Sequence, residues 1–63
     1  MGKPMSPVEA LKVALAKESS SIELYKKLLI EHPPIKDILE VLLNEEEKHQ
    51  KLISAKIVEM TKY

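Results

Sequence analysis

Glu31-His32-Pro33-Pro34-Ile35-Lys36-Asp37 is the stretch that decides the fold. The residue before a proline is pushed out of the helical region, and two successive prolines make a stiff stop. A proline also suits the first turn of a helix, where its missing N–H would have no partner anyway. Pro34 is therefore expected to open a second helix. Asp37 falls in that helix's first turn, where a carboxylate complements the helix dipole. So short a connection forces the flanking segments to lie antiparallel as a hairpin.

Upstream, Ser6 is placed to cap a first helix and Pro7 suits its first position. Glu9 stands where a capping box wants a carboxylate. With no Gly or Pro inside, this helix should run from about 7 to 31. The turn takes 32–34, and the second helix should run from about 35 to 61. No stretch alternates with period two for long, so strands are not expected. Residues 1–63 read as one all-α unit, with no internal repeat and no long loop.

Steps of three and four through the first half visit Val8, Leu11, Leu15, Glu18, Ile22, Tyr25 and Leu29. Through the second half they visit Ile35, Leu39, Leu42, Glu46, His49, Ile53, Lys56 and Met60. Such recurrence marks the inward stripe of an amphipathic helix, so Glu18, Glu46 and His49 are expected to point inward. Burying an unpaired carboxylate costs several kcal/mol, where a leucine would contribute roughly 2 kcal/mol. A bound metal is the simplest compensation.

A hairpin of 63 residues cannot enclose a core by itself. Chains this short usually need a disulfide, a metal or a partner chain. There is no cysteine, which excludes disulfides, cysteine-ligated zinc, iron–sulfur clusters and thiol catalysis. Ten Lys balance ten Asp and Glu, and no basic residue is Arg. That gives no electrostatic case for nucleic acid or an anionic membrane, and none for bidentate phosphate binding. The apolar runs are too short to span a bilayer, and Met-Gly-Lys-Pro-Met-Ser has no apolar stretch behind its charge. The start formally fits an acylation pattern through Gly2 and Ser6, but nothing polybasic follows it. A soluble cytoplasmic protein is expected.

Counting from Pro33, Glu18 is fifteen residues back, Glu46 thirteen forward and His49 sixteen forward. At 1.5 Å per residue, these are heights of roughly 22, 20 and 24 Å above the turn. The three side chains should converge, and Glu46 and His49 stand one above the other on a single face. One chain thus supplies half a site. Two hairpins packed about a two-fold axis would gather four Glu and two His, the set found in di-iron and di-manganese bundles. Carboxylate oxygens with one imidazole per metal suit iron or manganese, and zinc would also bind.

With these residues in view, the chain resembles the rubrerythrin and ferritin-like di-iron carboxylate family. The resemblance lies in Glu18-Ser-Ser-Ser-Ile-Glu-Leu-Tyr25, a ligand Glu with a Tyr seven residues on. It lies also in Glu45-Glu46-Glu47-Lys48-His49, the Glu-Glu-x-x-His of the second helix. It spans about Pro7 to Ile57 and corresponds to half of a usual four-helix domain. The resemblance implies a hairpin that self-associates, at least as a homodimer, into a ferritin-like four-helix bundle. It implies a dinuclear iron centre shared between chains, with Glu46 bridging, Glu18 terminal or bridging, and His49 capping each metal. It also implies oxidoreductase chemistry with oxygen, peroxide or ferrous iron. The chain departs from the family in lacking a second helix pair and the cysteine-ligated iron domain of rubrerythrin proper, so electrons must come from an external donor. An extra Glu ligand of one rubrerythrin half has no counterpart here beyond Glu45 or Glu23.

The other polar residues have plainer readings. Tyr25 packs in the core and Glu45 borders the seam, with a hydrogen bond to a metal ligand as the functional alternative for each. Ser19, Ser20 and Ser21 are poor helix formers that leave room for close approach. His32 is a solvated turn residue. The competing reading of the whole is a non-catalytic helical oligomerisation module whose polar seam only specifies its partner.

Overall fold

The computed structural model describes residues 4–62, so Gly2 of the acylation pattern lies outside the described residues. Two α-helices, α1 (Pro7–Glu31) and α2 (Lys36–Thr61), form an antiparallel hairpin, with no strand among the described residues. No helix among them is long and apolar enough to cross a membrane.

α1 starts with a complete capping box. The Ser6 hydroxyl accepts from the Glu9 N–H at 3.2 Å, and Glu9 Oε1 accepts from the Ser6 N–H at 2.9 Å. Two of the N–H groups that every helix start leaves unpaired are thereby satisfied. At the other end His32 leaves the helical region (φ −133°, ψ 66°), as a residue before proline must. Its N–H still donates to the Leu28 carbonyl at 2.8 Å. Pro33–Ile35 form one 3₁₀ turn, and the Ile35 N–H donates to the His32 carbonyl at 3.1 Å. α2 accordingly starts at Lys36, after this tighter turn.

The seam of α1 lies where the spacing puts it: Val8, Leu11, Leu15, Glu18, Ile22, Tyr25 and Leu29 are all at least half-buried. The seam of α2 departs from the expected one. Leu39, Leu42, Leu43, Glu46, Gln50, Ile53 and Ile57 are sheltered, while Ile35, His49, Lys56 and Met60 are exposed. A helix of 3.6 residues per turn drifts about 20° per heptad against a strict 3.5-residue repeat. Over the length of α2 that drift turns positions 49, 56 and 60 outward and brings Gln50 and Ile57 in.

Among the described residues only Ile22 (7% exposed) and Leu39 (4%) are buried. The molecule is a slab of 45 × 30 × 12 Å, one helix layer thick, where stable domains pack two layers. It exposes 5184 Å², against about 4,100 Å² for a compact protein of its 7.2 kDa mass. At 100° per residue, the stripe on one side of the seam carries Ala14, Ser21, Leu24 and Leu28, with Ile38, Leu42, His49 and Leu52 opposite on α2. The stripe on the other side carries Lys12, Glu23 and Lys26, with Glu40, Glu47 and Lys51. The stripe on the His49 side is the more apolar, although Lys17, Glu45, Lys56 and Glu59 fall on it as well, and the opposite stripe is the more charged.

Candidate metal centre

Glu18 lies near the middle of α1, and Glu46 and His49 near the middle of α2. The equal distance of the three from the turn becomes direct contact. His49 Nδ1 is 3.4 Å from Glu18 Oε2 and 3.3 Å from Glu46 Oε1. One ligand atom from each residue fits within a span of 4.8 Å. Ligands about 2.1 Å from a common ion lie about 3.0 Å apart at right angles and about 3.4 Å apart at the tetrahedral angle. The two imidazole–carboxylate distances fall in that range, and the three residues form a group that could hold a metal ion.

Burial is graded across the cluster. The Glu18 and Glu46 side chains are 18% and 19% exposed, and the His49 side chain is 55% exposed. The carboxylates therefore occupy the seam as its pattern requires. His49 sits at the rim on the apolar face, because Gln50 takes the inward position at that turn. Glu18 Oε2 is shut off from water and has no hydrogen-bond partner. An unsatisfied buried acceptor costs about 1–3 kcal/mol, and this one is aimed at the two other ligands.

The remaining candidates stand apart. Tyr25 is half-buried, and its hydroxyl makes no hydrogen bond among the described residues. Glu45 is exposed and outside the three-residue group. His32 is exposed at the turn. A contact that spacing did not reveal lies beside the cluster: Gln50 Nε2 donates to Ser19 Oγ across the two helices at 3.0 Å. Ser19 follows Glu18 and Gln50 follows His49, so the bond crosses the seam at the height of the site. The 3.6-residue period, applied strictly to α2, is the signal that would have turned Gln50 inward.

No family model, curated protein or solved structure matches this chain.

Proposed function

We propose that the chain is a ferritin-like, rubrerythrin-like di-iron protein whose dinuclear site forms between two copies. In this reading it is an oxidoreductase acting on oxygen, peroxide or ferrous iron. The observation that carries the reading is the convergence of Glu18, Glu46 and His49 within 4.8 Å, with an orphaned carboxylate oxygen among them. Each chain holds one iron with these three side chains, and manganese or zinc would satisfy the same donors. Bound as a pair, iron supplies the electron transfer that carboxylates and imidazole lack. The chain's own groups bind and orient the metal and keep the Glu18 oxygen dry. In this reading the protein works in the cytoplasm and draws electrons from a separate donor, since it has no cysteine to hold a second redox centre.

Shape supports the pairing. Two copies meeting on the apolar face would turn a one-layer slab into a two-layer bundle and place the mid-helix sites about one axis. A compact body of twice the mass exposes about 6,800 Å². Reaching it from 5184 Å² per chain would bury about 1,800 Å² on each copy, an area in the obligate class.

The test is anaerobic iron(II) titration of metal-stripped protein, with Glu46→Ala as control. The expected result is saturation near one iron per chain, lost in the variant, on a species of dimer mass or larger. Binding no better than that of Glu46→Ala refutes the metal reading. A second reading, a non-catalytic oligomerisation module, is favoured by one observation: His49 Nδ1 lies within polar-contact distance of both carboxylates, an arrangement that needs no metal. That module would keep its assembly when all three residues are replaced by apolar ones.

A further inference from the structure

Among the described residues, seven side-chain hydrogen bonds stay within a helix or its cap, and one crosses between the helices. The crossing bond is Gln50 Nε2 to Ser19 Oγ, 3.0 Å and partly buried. The neighbouring serine behaves differently: the Ser20 hydroxyl donates back to the Ala16 carbonyl of its own helix at 3.2 Å, the usual resort of a mid-helix serine. Ser19 reaches the other helix because Gln50 stands opposite it.

We infer that Ser19 and Gln50 are positioning residues for the Glu18–Glu46–His49 cluster, a role that rests on the metal-binding reading above. The apolar contacts of the seam are non-directional. Contacts among Leu15, Ile22, Leu42 and Ile53 do not by themselves select one rotation of α2 about its axis. The cluster needs one. A roll by a single residue is 100°, enough to carry Glu46 and His49 away from Glu18, whose ligand atoms and theirs lie within 4.8 Å of one another. A hydrogen bond is directional and holds only near 2.7–3.2 Å, so it fixes what the leucines leave loose.

Its location suits that task. One step of 100° along each helix separates Ser19 from Glu18 and Gln50 from His49. Both steps lead to the same side of the seam, away from the apolar face where His49 lies. The site is flanked on one side by the Ser19–Gln50 bond and on the other by the imidazole. The short turn sets the height of Glu18 relative to His49, and the bond one residue away from both holds their rotation. Removing a bond made directly to a ligand changes metal affinity by roughly 10- to 100-fold, and this bond, which acts through the neighbouring residues, should fall at the low end.

The experiment uses cobalt(II) as the probe on the full chain, reading affinity, the visible absorption of the bound ion, and thermal midpoint. Ser19→Ala, Ser19→Thr, Gln50→Leu and the Ser19→Ala/Gln50→Leu double variant are compared with wild type and Glu46→Ala. Alanine is the better helix former at position 19, so Ser19→Ala keeps the helix while removing the acceptor. The expected result is an affinity loss on the order of 10-fold in Ser19→Ala and in Gln50→Leu. The cobalt spectrum should change in both, the double variant should be no worse than either, and Ser19→Thr, which keeps the hydroxyl, should be restored. Wild-type affinity and spectrum in Ser19→Ala and Gln50→Leu would overturn the inference while leaving the metal site standing. So would losses that merely follow a fall in thermal midpoint. Wild type binding no better than Glu46→Ala would overturn this inference and the metal reading together.

Discussion

Replacing Leu52 by serine should break the pairing of hairpins, and replacing Val58 by serine should not. Leu52 is 71% exposed in the single hairpin and lies on the apolar stripe beside His49. Val58 is nearly as exposed, at 62%, but lies on the charged stripe of the same helix. Full burial of a leucine is worth about 1.5–3 kcal/mol, so covering the part still exposed contributes about 1–2 kcal/mol. A two-fold interface contains the residue twice, which brings the loss to about 2–4 kcal/mol per dimer. At 1.4 kcal/mol per tenfold, Leu52→Ser should weaken self-association by roughly 30- to several-hundred-fold. Neither substitution removes a buried contact within the hairpin, so helicity at high concentration should match wild type. Sedimentation equilibrium over a dilution series reads the association constant directly. Equal effects of the two substitutions, or a larger one for Val58→Ser, would refute the assignment of the apolar face as the interface.

Two further outcomes test other parts of the molecule. Glu18→Leu removes a buried oxygen that has no hydrogen bond, together with its 3.4 Å contact to the exposed His49 imidazole; an exposed pair of this kind is worth little, so the metal-free protein should gain stability. Because the side chain keeps 18% of its exposure, the gain should be near the low end, about 1 kcal/mol, or a rise of several degrees in thermal midpoint. Iron uptake should vanish in the same variant, and a lowered midpoint in calorimetry would contradict the account of Glu18. At the start of α1, the Ser6 backbone N–H and then the Ser6 hydroxyl hold the Glu9 carboxyl below its ordinary value. A carboxylate with a lowered folded value stabilises fully above its unfolded value, and that stabilisation is lost as pH falls through the folded one. NMR signals of residues 6–10 should therefore report fraying below about pH 4, and Glu9→Gln should abolish that pH dependence.

Local chemistry carried much of this structure on the face of the sequence. Ser6, Pro7 and Glu9 announce a helix start because a capping box is made by residues three apart, with no help from the rest of the chain. His32-Pro33-Pro34 announces the break for the same reason, since the ring of a proline restricts its own neighbour. The equal distances of Glu18, Glu46 and His49 from the turn follow from a rise per residue that hardly varies between helices. Their meeting was legible as soon as the hairpin was.

The rotation of α2 about its own axis was not legible. A difference of about 20° per heptad is too small to alter which residues look apolar at steps of three and four. It accumulates, and by the middle of α2 it decides between His49 and Gln50 as the residue facing α1. Contacts between the helices make that decision, with Leu39 buried on the seam and Gln50 bonded to Ser19 across it. With that rotation go the exposed imidazole at the rim and the isolation of Glu18 Oε2. The sequence by itself determined where two helices start and stop and that Glu18, Glu46 and His49 share a level. Only the tertiary structure decided how those side chains are turned toward one another, since that depends on contacts between residues some thirty positions apart, such as Ser19 and Gln50.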